Sequence, residues 1–141
     1  MTAPLLFLVE PDPLLAEAFE AYLEHYGYRT RIVGASEVLA ASEVPDLIIG
    51  EHPLHLPEGR VLCDVLKEDV RTAGIPFLAV TARAMPAEVS DARMSHAAGV
   101  LVKPVRLHRL LEAVERLVGE AAPRSPMGAA VEGPAAEESM Q

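Results

Sequence analysis

Residues 45–51 read Pro-Asp-Leu-Ile-Ile-Gly-Glu, a short apolar run that ends on a glycine and an acid. Aliphatic residues bounded by polar and turn-forming ones predict a strand over 46–49 that ends near Gly50 and Glu51. A second run, Leu5 to Val9, is continuously apolar and has prolines on both sides, which is typical of a buried parallel strand. We therefore predict that residues 5–9 lie at the centre of a parallel sheet.

Strand and helix patterns alternate along the chain on both sides of these two runs. Five strands are predicted, over residues 5–9, 28–33, 46–49, 77–81 and 100–102. Five helices are predicted, over residues 13 to about 26, 36–41, 59 to about 69, 87–98 and 107–118. This alternation predicts one α/β domain with a parallel sheet, right-handed crossovers and helices on both faces.

The first helix has recognisable start and stop signals. Asp12 is placed to cap the helix, Pro13 to occupy its first position, and Gly27 to end it in a left-handed conformation. Six apolar residues at helical spacing predict the face that packs on the core: Leu14, Leu15, Ala18, Phe19, Tyr22 and Leu23. The single cysteine, Cys63, also lies in an apolar helical pattern, so we predict packing rather than disulfide or metal chemistry.

Composition limits the classes of function. The chain of 141 residues suits one ordinary domain, to which we assign residues 1–121. A formal net charge of −9 argues against a nucleic-acid partner. No apolar stretch approaches the ~20 residues that cross a bilayer, so we expect no membrane association and a cytoplasmic location. Residues 122–141 are rich in Ala, Pro and Glu and are predicted to form a flexible tail.

Polar side chains follow four of the predicted strands. Glu10 and Asp12 follow the first strand, Glu51 the third, Thr81 ends the fourth, and Lys103 follows the fifth. Because the carboxyl ends of parallel strands meet at one edge of the sheet, we expect these side chains to form one small polar pocket.

At these positions the sequence resembles the receiver domain of two-component response regulators, of the chemotaxis type, over residues 4–120. Glu51 and Thr81 are 30 positions apart, and Thr81 and Lys103 are 22 apart, and both separations are similar to those of the family. Further matching pieces are Pro45 to Ile49, Gly59, Ile75-Pro76 and Lys103-Pro104. The resemblance implies a flavodoxin-like, doubly wound (βα)5 domain with strand order 2-1-3-4-5.

The resemblance also implies a role for each residue of the pocket. In the family an aspartate after the third strand accepts a phosphoryl group, two acids after the first strand hold Mg²⁺, and a threonine and a lysine respond to the phosphoryl oxygens. These roles fall on Glu51 as acceptor equivalent, Glu10 as one acid, and Thr81 and Lys103. The second acid falls on Pro11, and the aromatic that usually rotates with the threonine falls on Val100. These departures indicate a degenerate receiver, or pseudo-receiver.

Glutamate is not simply a longer aspartate at an acceptor position, because phosphoryl transfer requires an in-line oxygen and metal neutralisation of charge. Mg²⁺ would retain mainly Glu10, Glu51 and backbone or water oxygens, since the capping role of Asp12 competes with metal ligation. We therefore expect no resident cofactor, no dedicated metal site and at most weak Mg²⁺ binding.

Two hypotheses for the pocket remain open. In one, Glu51 reaches Lys103 and Thr81 unaided, and the pocket permanently holds the charge that phosphorylation would deliver. In the other, Glu51, Glu10 and Lys103 form only a structural ion pair that closes a disused site. Under both, phosphate is not the input, whereas the alternative function is a phosphate-accepting regulator of a histidine-kinase phosphorelay with an atypical acceptor.

Output is expected by protein contact, because receivers commonly dimerise or bind partners through the surface of the fourth helix, fifth strand and fifth helix. The candidate docking residues are Arg83, Arg93, Val100, Arg106 and Arg109, with a solvated charged surface as the alternative. A signalling partner, a second copy and a histidine kinase are the partners that the resemblance implies.

Other classes of function are poorly supported by the sequence. A small enzyme lacks a Gly-rich phosphate loop, a nucleophile beside a base and a complete metal set, so no catalytic residue is assigned. The short acidic tail does not suit a DNA-recognition domain. Scattered histidines have no metal-ligand spacing and are expected on the surface: His25, His52, His55, His96 and His108.

Overall fold

The computed structural model describes residues 3–82 and 97–121, and within them five parallel strands form one sheet of order β2-β1-β3-β4-β5. The strands are β1 (Leu5–Val9), β2 (Arg29–Ile32), β3 (Leu47–Glu51), β4 (Phe77–Thr81) and β5 (Gly99–Val102). The predicted strand order is confirmed. Strands β1 and β4 match their predicted bounds, whereas β3 begins one residue later than predicted and ends at Glu51, near which its end was predicted.

Four helices lie in the described ranges. They are α1 (Pro13–His25), α2 (Ala35–Ala40), α3 (Leu62–Glu68) and α4 (Leu107–Ala121). Of the helix predicted over 87–98, residues 87–96 lie outside the described residues. Ala97 and Ala98 are not helical, because the N–H of Ala98 donates to the carbonyl of Phe77 and leads into β5. The tail over 122–141 also lies outside the described residues.

Strand β1 is buried along its whole length because both faces of the sheet are covered. Its alternate residues Leu5, Phe7 and Val9 join a core cluster with α2 and α3, while Leu6 and Leu8 join a second cluster with α1 and α4. The continuously apolar sequence of this strand is therefore explained by two cores, one on each side of the sheet.

The ends of α1 follow the sequence signals. Asp12 Oδ1 accepts hydrogen bonds from the N–H groups of Leu14 and Leu15 at 3.0 and 3.4 Å, and Pro13 occupies the first helical turn. Gly27 follows with φ 96°, a conformation that side chains with a Cβ rarely adopt.

The predicted core face of α1 is partly wrong. Phe19 and Leu23 are buried, but Leu14 is 77% exposed and Ala18 is also exposed, while Ala16 is buried without having been predicted. At roughly 100° per residue, Leu14 and Ala18 lie about a quarter turn or more around the helix from Phe19. The helix rests on the sheet along the line of residues 16, 19 and 23, which lies to one side of the predicted stripe.

Helix α3 begins at Leu62, three residues after the predicted start. The preceding segment folds back on itself through an antiparallel bridge between His55 and Val61, with the N–H of Leu56 bonded to the carbonyl of Arg60 at 2.8 Å. Gly59 has φ 102° at this turn.

Within the described ranges, no helix has the length and apolar character needed to span a membrane.

Candidate functional site

Strand register brings the ends of β3, β4 and β5 to one edge of the sheet. Glu51 lies opposite Val80, and Thr81 lies opposite Val102, so Lys103 follows one position beyond the same edge. The N–H of Lys103 donates to the carbonyl of Thr81 at 2.8 Å and continues the ladder past the end of β5. The backbone of Lys103 is therefore held beside β4 independently of the contacts that its side chain makes.

The Lys103 ammonium bridges two carboxylates. Its Nζ lies 3.0 Å from Glu51 Oε1, and 3.2 and 3.3 Å from the two carboxylate oxygens of Glu10. The Lys103 side chain is 22% exposed, that of Glu51 31%, and that of Glu10 only 3%. The predicted convergence of Glu10, Glu51 and Lys103 is therefore present in the structure, with Glu10 as its buried member.

Glu10 is held on two sides. Its Oε2 accepts a hydrogen bond from the backbone N–H of Asp12 at 3.0 Å, across the exposed Pro11, which has no N–H of its own. Its Oε1 is buried and makes no hydrogen bond within the described residues, although it lies 3.2 Å from Lys103 Nζ. The favourable interaction of Glu10 Oε1 is thus charge attraction to the ammonium.

Two opposing effects act on the pKa of Lys103. Partial burial lowers the pKa, because it disfavours the charged ammonium, but the hydrogen bonds and charges of Glu51 and Glu10 raise it by more. The pKa of Lys103 therefore lies above its ordinary value, and the ammonium stays protonated throughout the physiological range.

Asp12 contributes to this site through its backbone only. The prediction that its side chain joins the pocket is wrong, because the carboxylate caps α1 and is exposed, away from the carboxylates around Lys103. Among residues 3–82 and 97–119, no group of three or more His, Cys, Asp or Glu side chains is arranged to hold a metal ion. While the Lys103 ammonium engages Glu10 and Glu51, their oxygens are not available to complete the near-octahedral oxygen ligation that Mg²⁺ needs.

Thr81 is buried at the end of β4, with 1% of its surface exposed. Its position at the pocket edge agrees with the prediction, and its backbone carbonyl holds Lys103. A phosphate-sensing role for its hydroxyl stays a prediction.

The candidate docking residues have different environments. Val100 is fully buried in the core cluster with α2 and α3, so its prediction as a docking contact is wrong, because β5 packs on both faces. Arg106 is exposed just before α4, whereas the Arg109 side chain is 19% exposed and lies 3.5 Å from Glu112. Arg83 and Arg93 lie outside the described residues.

His52 is a residue whose environment the sequence analysis missed. His52 is predicted on the surface but is only 2% exposed. Its backbone N–H donates to the carbonyl of Val80 at 2.9 Å. Successive residues of an extended strand point to opposite faces, so the residue after Glu51 turns away from the pocket side. Strand alternation was the signal that could have placed it. His25, His55 and His108 are exposed as predicted, and His96 lies outside the described residues.

Comparison with known proteins agrees with this fold. No family model matches the chain. It is 30% identical over 119 residues to the polar-differentiation response regulator DivK of Brucella ovis, a match that covers 82% of this chain and 97% of that protein. This chain therefore belongs to the response-regulator receiver family, as the motif spacing predicted.

Solved structures extend the comparison. The receiver domain of a signal transduction histidine kinase from Syntrophus aciditrophicus has 31% identity and a TM-score of 0.71, with 83% of this chain and 91% of that one covered. The receiver domain of a sensor histidine kinase from Pseudomonas aeruginosa PAO1 has 21% identity and a TM-score of 0.73, with 84% and 99% covered. The latter holds a magnesium ion in its active site cleft, and at this identity its likeness shows the fold alone.

Proposed function

We propose that this chain is a cytoplasmic receiver module that signals by protein contact and does not take its input as a phosphoryl group on an acceptor aspartate. The observation that carries the proposal is the 3.0 Å contact between Glu51 Oε1 and Lys103 Nζ. The carboxylate at the acceptor-equivalent position already neutralises the lysine that would otherwise meet a phosphoryl oxygen.

The length of the glutamate supports this proposal. Glu51 is the last residue of β3, and its side chain has one methylene more than aspartate, which carries the carboxylate outward to the ammonium. In-line phosphoryl transfer depends on sub-ångström placement of the attacking oxygen and on metal neutralisation of the phosphate charge. The Glu51 carboxylate lies farther from the backbone than the carboxylate of an aspartate would. Pro11 supplies no second acid for a metal.

The pocket also contains Lys103, at the position where the family has the lysine that contacts phosphoryl oxygens. The backbone N–H of Lys103 donates to the carbonyl of Thr81, and its ammonium contacts Glu51, so a negative group already engages the lysine that a phosphoryl group would engage. Such a pocket holds one charge state regardless of kinase activity. The module accordingly presents one constant surface to its partner.

We propose that the partner is a signalling protein that docks beside β5 and α4. Arg106 is exposed there, at the start of α4, and is the described member of the arginine set available for contact. A histidine kinase is one candidate partner, since similar receiver domains belong to histidine kinases, and a second copy of this chain is another. Contact, rather than catalysis, is the proposed output.

The test is phosphorylation of the purified chain with acetyl phosphate and Mg²⁺, followed by intact-mass measurement. We expect no added phosphoryl group on the native chain. The matched variant Glu51→Asp combined with Pro11→Asp restores both an aspartate acceptor and a second acid, and is expected to be labelled under the same conditions.

The opposite result has a clear signature. If the native chain gains one phosphoryl group, and Glu51→Gln abolishes the gain, Glu51 is an acceptor and the chain is a phosphate-accepting regulator. That outcome would overturn the proposed function and establish the alternative.

A further inference from the structure

Glu10 is the most buried charged side chain around the pocket. With 3% of the side chain exposed, its carboxylate has lost nearly all of its water, which is costly for an ionised group unless a cation compensates for it. Both of its oxygens lie within 3.3 Å of one atom, Lys103 Nζ. The two carboxylate oxygens of Glu10 thus contact the ammonium in a bidentate arrangement.

The second carboxylate completes the same arrangement. Glu51 approaches the ammonium at 3.0 Å, so one cation is shared by two acids that come from two adjacent strands, β1 and β3. The three groups together carry a net charge of −1. Without the ammonium, two carboxylates would face each other at this edge, one of them almost without solvent.

The other lysine of the chain is engaged elsewhere. Lys67, the other lysine of the chain, donates to the carbonyls of Ala73 and Ile75 at the opposite end of β4. Asp12 turns its carboxylate to the first turn of α1, so it adds no ligand for a metal. Within the described residues, the cation that compensates Glu10 is the Lys103 ammonium.

We propose that the Lys103 ammonium, which lies between the carboxylates of Glu10 and Glu51, is the resident cation of this pocket and closes the native site to Mg²⁺. This inference rests on the proposed function and deepens it, because a pocket with a built-in cation needs no metal to hold its charge state. Its corollary is a masked divalent site. Removing the ammonium leaves two converging carboxylates with a net charge of −2, which attract a divalent cation.

The experiment uses Mn²⁺ as the probe, and electron paramagnetic resonance measures free Mn²⁺ against increasing protein. For the native chain we expect no saturable binding below about 1 mM, the weak end of carboxylate sites in proteins. For Lys103→Met we expect Mn²⁺ to bind at least about tenfold more tightly, since one unit of positive charge has left the immediate surroundings of the ion.

Matched variants separate this site from general charge effects. Lys67→Met changes the net charge equally but at the far end of β4, and it is expected to bind Mn²⁺ like the native chain. Glu10→Gln added to Lys103→Met is expected to abolish the gain. Circular dichroism checks folding of each variant, and Lys103→Gln is the second variant if Lys103→Met does not fold.

Two outcomes would overturn the inference. One is saturable Mn²⁺ binding by the native chain that Glu10→Gln abolishes, and the other is a folded Lys103→Met or Lys103→Gln chain that gains no Mn²⁺ affinity. Both are distinct from failure of the proposed function, which is read from phosphoryl transfer to the native chain. A native chain that binds Mn²⁺ but accepts no phosphoryl group would refute the resident cation alone.

Discussion

At the scale of single residues, the pocket depends on Lys103. The lysine is anchored by its backbone to Thr81 and contacts Glu10 and Glu51 through one ammonium. Such contacts between partly buried charges stabilise a fold only where the hydrogen bonds offset the loss of hydration. The raised pKa of Lys103 indicates that the charged form is favoured here.

The pH dependence of stability tests this interaction. In the unfolded chain Lys103 loses its proton near the ordinary pKa of 10.5, and in the folded chain it does so at higher pH. Its contribution is therefore complete below pH 10.5 and is lost as the pH rises through the folded-state pKa. At pH 8 we expect Lys103→Met to lower the free energy of unfolding by about 1–3 kcal/mol, because Glu10 loses its cation.

Urea unfolding of the native and Lys103→Met chains from pH 7 to 12 makes the measurement. The difference between the two curves cancels the contributions of groups that both chains share, and it should shrink above the ordinary pKa of the lysine. A difference that stays constant to the highest pH would show that the ion pair does not contribute.

At the scale of elements, β3 places Glu51 through the residue before it. A Cβ added to Gly50 would lie 3.0 Å from Phe77 Cζ and 3.1 Å from Phe77 Cε1, closer than ordinary packing. The glycine thus lets the Phe77 ring lie against the backbone of β3, next to the acceptor-equivalent position. Because successive residues of a strand point to opposite faces, Glu51 points to the face opposite Phe77.

Gly50→Ala tests this packing. Because Phe77 is fully buried and must shift, we expect the free energy of unfolding to fall by about 1–3 kcal/mol, as in other overpacked cores. Thermal or urea unfolding gives the measurement. Gly119→Ala is the matched control, since a Cβ there meets no atom within 4 Å and should stabilise α4 by about 0.5–1 kcal/mol. Equal effects of the two substitutions would contradict the packing argument.

At the scale of the whole molecule, the sheet separates two cores. One contains Phe7 and Phe77 with α2 and α3, and the other contains Phe19 with α1 and α4. Cys63 lies in the first core with 1% of its surface exposed, and burial raises the pKa of its thiol to about 12. The expectation of a packing cysteine agrees with this environment.

The rate at which Cys63 is labelled should therefore measure unfolding of the core that contains Phe7 and Phe77. At pH 8 the thiol is protonated and covered, so we expect a disulfide reagent to label the native chain only through opening of the structure. The labelling rate should rise with urea in parallel with the unfolding transition, and the fully unfolded chain should react at once. Rapid labelling without urea would show that the α3 side of the sheet opens locally.

Much of the site could be predicted from the sequence, because strand ends and turn residues are local signals. Glu10, Glu51, Thr81 and Lys103 were assigned to one edge from short apolar runs and their spacing, and the cap of α1 from Asp12 alone. Environments set by distant neighbours were harder to predict. His52 and Val100 were placed on the surface, and both are buried, because their exposure depends on how helices cover the sheet.

The sequence by itself determined the order of elements, the parallel sheet and the identity of the residues at its edge, since these follow from local periodicity and from strand alternation. Only the tertiary structure decided that Lys103 reaches Glu10 and Glu51 together, and that the Glu10 side chain is nearly without water. Charge pairing depends on distances between side chains that are 52 and 93 positions apart, and packing alone sets those distances.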